Sequence, residues 1–378
     1  MRNHILIILF MLQTIYAHAQ IDSSATDSVL LKKIEQEMNA SQNIPAPAVQ
    51  QRAAPSANPN ISVIGDFRTN YISNEKRHFD ANLEETEFSF QSTIDPYAKA
   101  DFFYATGRNP ETGEFSGEIE EGYLTTLSLP AHLQLKAGKF KETMGRVNPV
   151  HSHALPFISM PNAYVNYFGD EGLNDEGLSL SWLIPNPHFY QELTVELTDG
   201  PRESPSFARS GKDNYLKLAH LKNFWDLSQN TTLELGITGI SGENDSTFTT
   251  SILAGDLTYK WKPLQMNTYK SFTWQSEFYF SNAKQNELQT VNSIGFYSLI
   301  NYQLGKRWFA TVRYDYSNLP FDKDYRQEAY SLTMGWYATE FQKIEIEGKT
   351  TASNVEERNY EALLRWVFVI GSHGAHQY

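Results

Sequence analysis

The chain has 378 residues, no Cys, and 31 Lys plus Arg against 44 Asp plus Glu, a formal charge of −13. That balance argues against a nucleic-acid partner, since phosphate binding needs basic patches. Without Cys there is no disulfide framework and no thiolate metal centre, and beyond the first twenty residues no apolar run is long enough to cross a bilayer as a helix.

Residues 1–19 read as a cleaved signal peptide: Arg2 supplies a positive start, Ile5 to Leu12 an apolar run too short to span, and Ala17-His18-Ala19 a small-residue cleavage site. No Cys follows that site, which argues against a lipoprotein. Residues 20–60 form a separate periplasmic segment. Ser28 to Met38 predicts one short helix with Leu30, Leu31, Ile34 and Met38 on a single stripe. From Ser41 to Asn60 the Pro, Ala, Gln, Asn and Ser content predicts a flexible linker.

From Ile61 onward the pattern becomes two-residue alternation, as in Trp274-Gln275-Ser276-Glu277-Phe278-Tyr279-Phe280. A strand sends successive side chains to opposite faces, so each such ribbon has an apolar and a polar side. About sixteen strands are predicted, over 61–72, 84–94, 97–106, 117–128, 131–140, 176–185, 188–199, 213–222, 230–241, 247–261, 269–282, 292–303, 306–317, 328–339, 342–351 and 358–371. Tight connections such as Asp95-Pro96 and Pro185-Asn186-Pro187 alternate with longer polar ones such as 107–117, 198–213 and 317–327. A soluble sandwich would leave that rhythm unexplained, whereas outer-membrane barrels have short turns on one rim and long loops on the other. The expected fold is therefore all-β, a transmembrane antiparallel barrel over 61–378 whose apolar parity faces lipid. The polar parity, expected to line the lumen, includes Arg68, Lys99, Asp101, Lys136, Lys217, Arg313, Asp315 and Arg365, with Asp66, Glu87, Glu120, Glu234, Glu277, Glu345 and Glu347.

One connection stands apart. Residues 141–175 form the longest segment without alternation, rich in Pro, Phe, Tyr and Met, so it is expected to pack rather than wave. Lys139 just before it and Lys141, Arg146, His151, His153, Asp170 and Glu171 within it are the candidates for a pore constriction, because charged rings set pore selectivity. His151 and His153 raise the question of a metal site, but no acidic or Cys ligand stands at local metal spacing, so none is expected. No nucleophile elbow, phosphate-cradling Gly loop or nucleophile–base spacing is present, so neither an enzyme nor a cofactor is expected.

The run from Gly138-Lys139-Phe140 through Gly145-Arg146-Val147-Asn148-Pro149, then His151, His153, Leu155-Pro156-Phe157 and Phe168-Gly169-Asp170-Glu171-Gly172-Leu173, resembles porin-like outer-membrane proteins of the Bacteroidota, as does the tail from Ile370 to Tyr378. The short helix ahead of a barrel is similar to the phosphate-selective porin O/P type. This resemblance implies a long third loop folded into the lumen, a Gram-negative outer-membrane location and a homotrimer. It also implies passive diffusion of small polar solutes or ions, with a lean toward anions. The barrel-assembly machinery would read either the terminal Tyr378 or the run Leu364, Trp366 and Phe368. The alternative is a non-conducting barrel with a loop-plugged lumen, serving as a surface receptor or adhesin.

Overall fold

In a computed structural model the residues described are 59–73, 79–108, 113–186, 188–201, 204–209 and 215–371. The expected signal peptide, the helix at 28–38, most of the linker and the last seven residues lie outside them. Sixteen strands follow in chain order: β1 (Asn60–Ile72), β2 (Phe79–Asp95), β3 (Ala98–Arg108), β4 (Phe115–Thr126), β5 (Leu133–Lys141), β6 (Asn174–Leu183), β7 (Tyr190–Thr198), β8 (Leu216–Ser228), β9 (Thr231–Glu243), β10 (Thr249–Trp261), β11 (Phe272–Lys284), β12 (Thr290–Gly305), β13 (Trp308–Leu319), β14 (Asp322–Thr339), β15 (Gln342–Ser353) and β16 (Asn359–Gly371). Each pairs with its sequence neighbours, and β1 pairs with β16 from Ser62 opposite Gly371 to Ile72 opposite Glu361. The sheet is thus a closed antiparallel barrel with no free edge to satisfy.

The alternation resolves into an outside and an inside. Leu178, Leu180, Val195, Leu197, Ile237, Leu253, Phe278, Val312, Leu332, Ile346 and Trp366 stand exposed on the outer face. Tyr97, Trp308 and Phe341 are exposed toward the short-turn rim, and Tyr71, Phe79, Phe115 and Tyr360 toward the long-loop rim. An apolar band between two aromatic girdles is what contact with hydrocarbon and its two interfaces requires. The inner face carries buried charge instead: Asp66, Glu87, Asp101, Glu277, Arg313, Asp315, Glu345, Glu347 and Arg365.

Two details depart from expectation. The connection expected at 317–327 is a tight turn, because β13 runs on to Leu319 and β14 starts at Asp322. The long segment after β5 begins at Glu142, and nearly all of its residues are buried or half-buried even though they form no strand. It holds one short helix, α1 (Asn162–Phe168), packed on β12, β13 and β14 from inside the barrel.

Placing a charge on the outer face should cost what removing it from water costs. Leu253→Arg, near the middle of β10, is expected to destabilise the barrel in lipid by about 2–4 kcal/mol. Equilibrium unfolding from phospholipid vesicles measures this; no change would mean that the outer face does not meet hydrocarbon.

Candidate functional site

The segment 142–173, hereafter the inner loop, occupies the lumen because both halves of its chemistry find partners there. Its apolar residues Met144, Val147, Leu155, Phe157, Tyr164, Tyr167, Phe168 and Leu173 form a buried cluster with inward side chains of the wall. Those wall residues are Leu216 and Leu218 of β8, Ile240 of β9, Ile252 and Ala254 of β10, Tyr279 of β11, and Tyr297 and Leu299 of β12. Phe168 meets the Tyr279 ring edge-on at 5.2 Å between centroids. The barrel therefore has a hydrophobic core inside it, confined to one arc of the wall.

The wall also meets the loop's backbone with charge. Glu196 accepts from the Thr143 N–H and hydroxyl, both at 2.9 Å. Glu277 accepts from the Arg146 and Val147 amides at 2.9 and 3.0 Å, and from the Tyr279 and Tyr297 hydroxyls. Glu347 accepts from the Ile158 amide at 2.6 Å and from the Ser159 hydroxyl. Carbonyls of the same loop are met by guanidinium groups. Arg365 donates to the Ser152, Leu155 and Phe157 carbonyls at 2.8, 2.9 and 2.7 Å while its Nε donates to Glu345 at 2.7 Å. Arg313 donates to the Ser159 carbonyl at 2.7 Å, lies against Asp315, and stacks 4.8 Å over the Phe157 ring. An unpaired backbone group buried between loop and wall would cost a desolvation penalty, and these charge-assisted bonds remove it.

Asn148 closes the neck of the loop. Its amide donates to the Glu142 and Leu173 carbonyls, and its oxygen accepts from the Leu173 amide and the Tyr164 hydroxyl. Gly145 and Gly172 both have positive φ, and a Cβ would overlap the Glu277 carboxylate at the first and the Tyr164 hydroxyl at the second. Glu142 is fully buried at this neck; burial first, then Asp175 and Glu196, hold its carboxyl well above the usual range.

The sequence-predicted residues fall into distinct places. Lys141 pairs with Glu120 at 3.2 Å, and Arg146 with Glu234 at 2.7 Å. His151 and His153 are buried, while Asp170 and Glu171 are exposed where the loop turns back toward β6. Arg68 contacts Asp66 and the Ser152 hydroxyl, and Lys99 contacts Asp101. Lys136 lies 4.8 Å over the Tyr123 ring. Two assignments are corrected. Lys139 is on the outward parity, opposite Glu176, with its ammonium donating to the Ile119 carbonyl, because β5 continues on the wall to Lys141. Lys217 also faces outward: Leu216, Leu218 and His220 take the inward positions of β8, two of them covered by the inner loop. The carboxylates that hold the loop, and Asn148, were not singled out by sequence as anchors, since their partners are backbone groups far along the chain.

His151 draws the carboxylates of two strands, β2 and β4, together. A bulge in β4, between the partners of Phe103 and Tyr104, turns both Glu120 and Glu121 inward. His151 Nε2 lies 2.7 Å from Glu121, and Nδ1 lies 2.9 Å from Glu87 of β2 and 3.3 Å from Glu120. His153 Nδ1 is 3.7 Å from the same Glu87 oxygen. Burial works against the charged imidazole, but Glu120 and the hydrogen bonds of its neighbours raise His151 well above its ordinary value.

The inner loop separates two cavities. One of about 480 Å³ opens toward the long-loop rim and is lined by Asn162 and Asn166 of the loop with Lys349, Glu356, Glu357 and Glu361. Another of about 390 Å³ lies toward the short-turn rim, lined by Lys99, Asp101, Glu121, Lys136, Lys141 and His151.

Arg365→Met is expected to destabilise the folded barrel by about 3–5 kcal/mol, because Glu345 and three loop carbonyls lose their shared partner. Denaturant unfolding in detergent micelles checks this. Arg365→Lys should recover only part of the loss, since a point charge cannot reproduce the planar fork.

No protein-family model matches the sequence. An uncharacterized protein of Aquifex aeolicus (strain VF5) is 29% identical over 353 residues, covering 81% of this chain and 71% of the relative. Among solved structures, the anion-selective porin from Comamonas acidovorans superposes with a TM-score of 0.57 at 9% identity, over 83% of this chain and 99% of that one. The outer membrane channel DcaP of Acinetobacter baumannii gives 0.56 at 10% identity, over 83% and 98%. The trimer form of OmpT, an outer membrane protein of Vibrio cholerae, gives 0.54 at 9% identity, over 83% and 100%. The chain thus shares the closed sixteen-stranded fold of these outer-membrane proteins.

Proposed function

We infer that the protein is a porin of a Gram-negative outer membrane, through which small polar solutes or ions diffuse passively past the inner loop. The observation that carries this reading is the pair of charged cavities of about 480 and 390 Å³ on opposite sides of one loop. A sixteen-stranded barrel is too wide for wall side chains to fill, so what lies across it sets the passage. On this reading Lys141, Arg146, His151, His153, Asp170 and Glu171 border the constriction. The reading involves no catalysis and no cofactor. Lipid meets the outer band, and the barrel-assembly machinery inserts the chain. Assembly as a homotrimer draws support from the trimeric Vibrio cholerae relative in fold.

The charge lining differs between the two cavities. Toward the short turns Lys99, Lys136 and Lys141 face Asp101 and Glu121, whereas toward the long loops Lys349 faces Glu356, Glu357 and Glu361. A lean toward anions such as phosphate rests on the first of these and on the likeness to the O/P type and to the Comamonas acidovorans fold. The rival reading, a loop-plugged receptor or adhesin, draws on the apolar cluster that seats the inner loop against β8 to β12.

Planar-bilayer recording separates them. The porin reading expects ohmic current steps from the purified protein; silence would overturn it in favour of the plugged barrel. In a salt gradient, Arg146→Glu is expected to move the reversal potential toward cation preference. An unchanged value would remove Arg146 from the constriction.

A further inference from the structure

We propose that Glu87, His151 and His153 form a binding site for a divalent transition-metal ion of the zinc type, which clips the inner loop to the barrel wall. The juxtaposition comes from the fold. His151 and His153 belong to the loop, Glu87 to β2, and each offers one ligand atom within 4.8 Å of the others. In a tetrahedral shell with metal–nitrogen and metal–oxygen bonds near 2.0–2.2 Å, neighbouring ligand atoms sit about 3.4 Å apart. The separations here, 2.9 Å from Glu87 Oε2 to His151 Nδ1 and 3.7 Å to His153 Nδ1, bracket that value. Glu120 Oε1, 3.3 Å from His151 Nδ1, stands where a fourth ligand would complete the shell.

Three further features point to a cation at this place. Glu87 is 1% exposed, and its Oε2 faces both imidazoles, 2.9 Å from His151 Nδ1 and 3.7 Å from His153 Nδ1, close enough for all three to face one ion. Second, the other ring nitrogen of His151 lies 2.7 Å from Glu121. With an ion bound, Glu121 accepting from Nε2–H would leave the Nδ1 lone pair for the metal, the arrangement by which carboxylates orient metal-binding imidazoles. Third, Glu85, Glu87, Glu120 and Glu121 gather here, and among the described residues Lys141 is the one ammonium paired with them. A divalent ion offsets the remaining negative charge. The cavity toward the short turns reaches His151, which gives the ion a route in. The His151 and His153 pair is local in sequence, but the carboxylates that complete the site come from β2 and β4, so the sequence alone does not announce it.

The test uses the full folded protein in detergent, stripped with chelator and titrated with Zn²⁺ by calorimetry, with metal content measured after gel filtration. The expected result is one zinc per chain. Co²⁺ in its place should give the visible absorption of a four-coordinate ion with nitrogen and oxygen ligands. His153→Ala and Glu87→Gln should each weaken binding at least about tenfold, with heat-modifiable gel mobility confirming that the barrel is folded. Wild-type protein that takes up no zinc in stoichiometric amount overturns the proposal, whatever the variants do. So does uptake that is unchanged in whichever variants fold, which would place the ion on surface carboxylates. The readout is independent of conductance, so its failure would leave the porin reading standing.

Discussion

A polypeptide loop inside a barrel must have nearly every backbone N–H and C=O paired, because inside the barrel few of them reach bulk water. The wall of this protein is built around that demand. Carboxylates of β7, β11 and β15 accept from amides of the inner loop, and the guanidinium groups of β13 and β16 donate to its carbonyls. Charge that alternation alone would assign to a solute path is thus largely engaged in holding backbone. The guanidinium anchors are themselves neutralised sideways, Arg365 by Glu345 and Arg313 by Asp315.

Packing is confined to one arc of the circumference, while charged anchors stand both on that arc and beyond it. On the arc from β8 to β12, apolar wall residues meet Phe157, Tyr164, Tyr167 and Phe168 in a dry cluster. Truncating any such buried ring typically costs about 3–5 kcal/mol. Around the rest of the wall the contacts are polar and the two cavities remain. A loop seated by packing on one side only, and held by charge around the wall, leaves space where water and small solutes can stay, which is how a wide barrel can be narrowed without being filled.

Much of this was legible in the sequence. All sixteen strands appear close to where the alternation placed them, since a one-residue slip would invert every side chain and the pattern therefore carries the register. The long third loop was legible from its length and aromatic content. What failed did so for identifiable reasons. Lys217 was read as inward on the rule that charge faces the lumen, but Leu216 and Leu218 face inward because the inner loop offers them an apolar partner. The bulge that turns both Glu120 and Glu121 inward leaves no mark in the alternation. Glu87 could not be linked to His151 before closure of the barrel brought β2 and β4 around the loop.

The central claim is that wall carboxylates and arginines hold the inner loop rigidly within the lumen. Amide hydrogen exchange of the folded protein in lipid nanodiscs tests it directly. The amides of Thr143, Arg146, Val147 and Ile158 should exchange as slowly as those of the neighbouring strands, although none of them lies in a strand. Exchange as fast as in the exposed turn at 285–289 would contradict the account, showing a loop that leaves the wall.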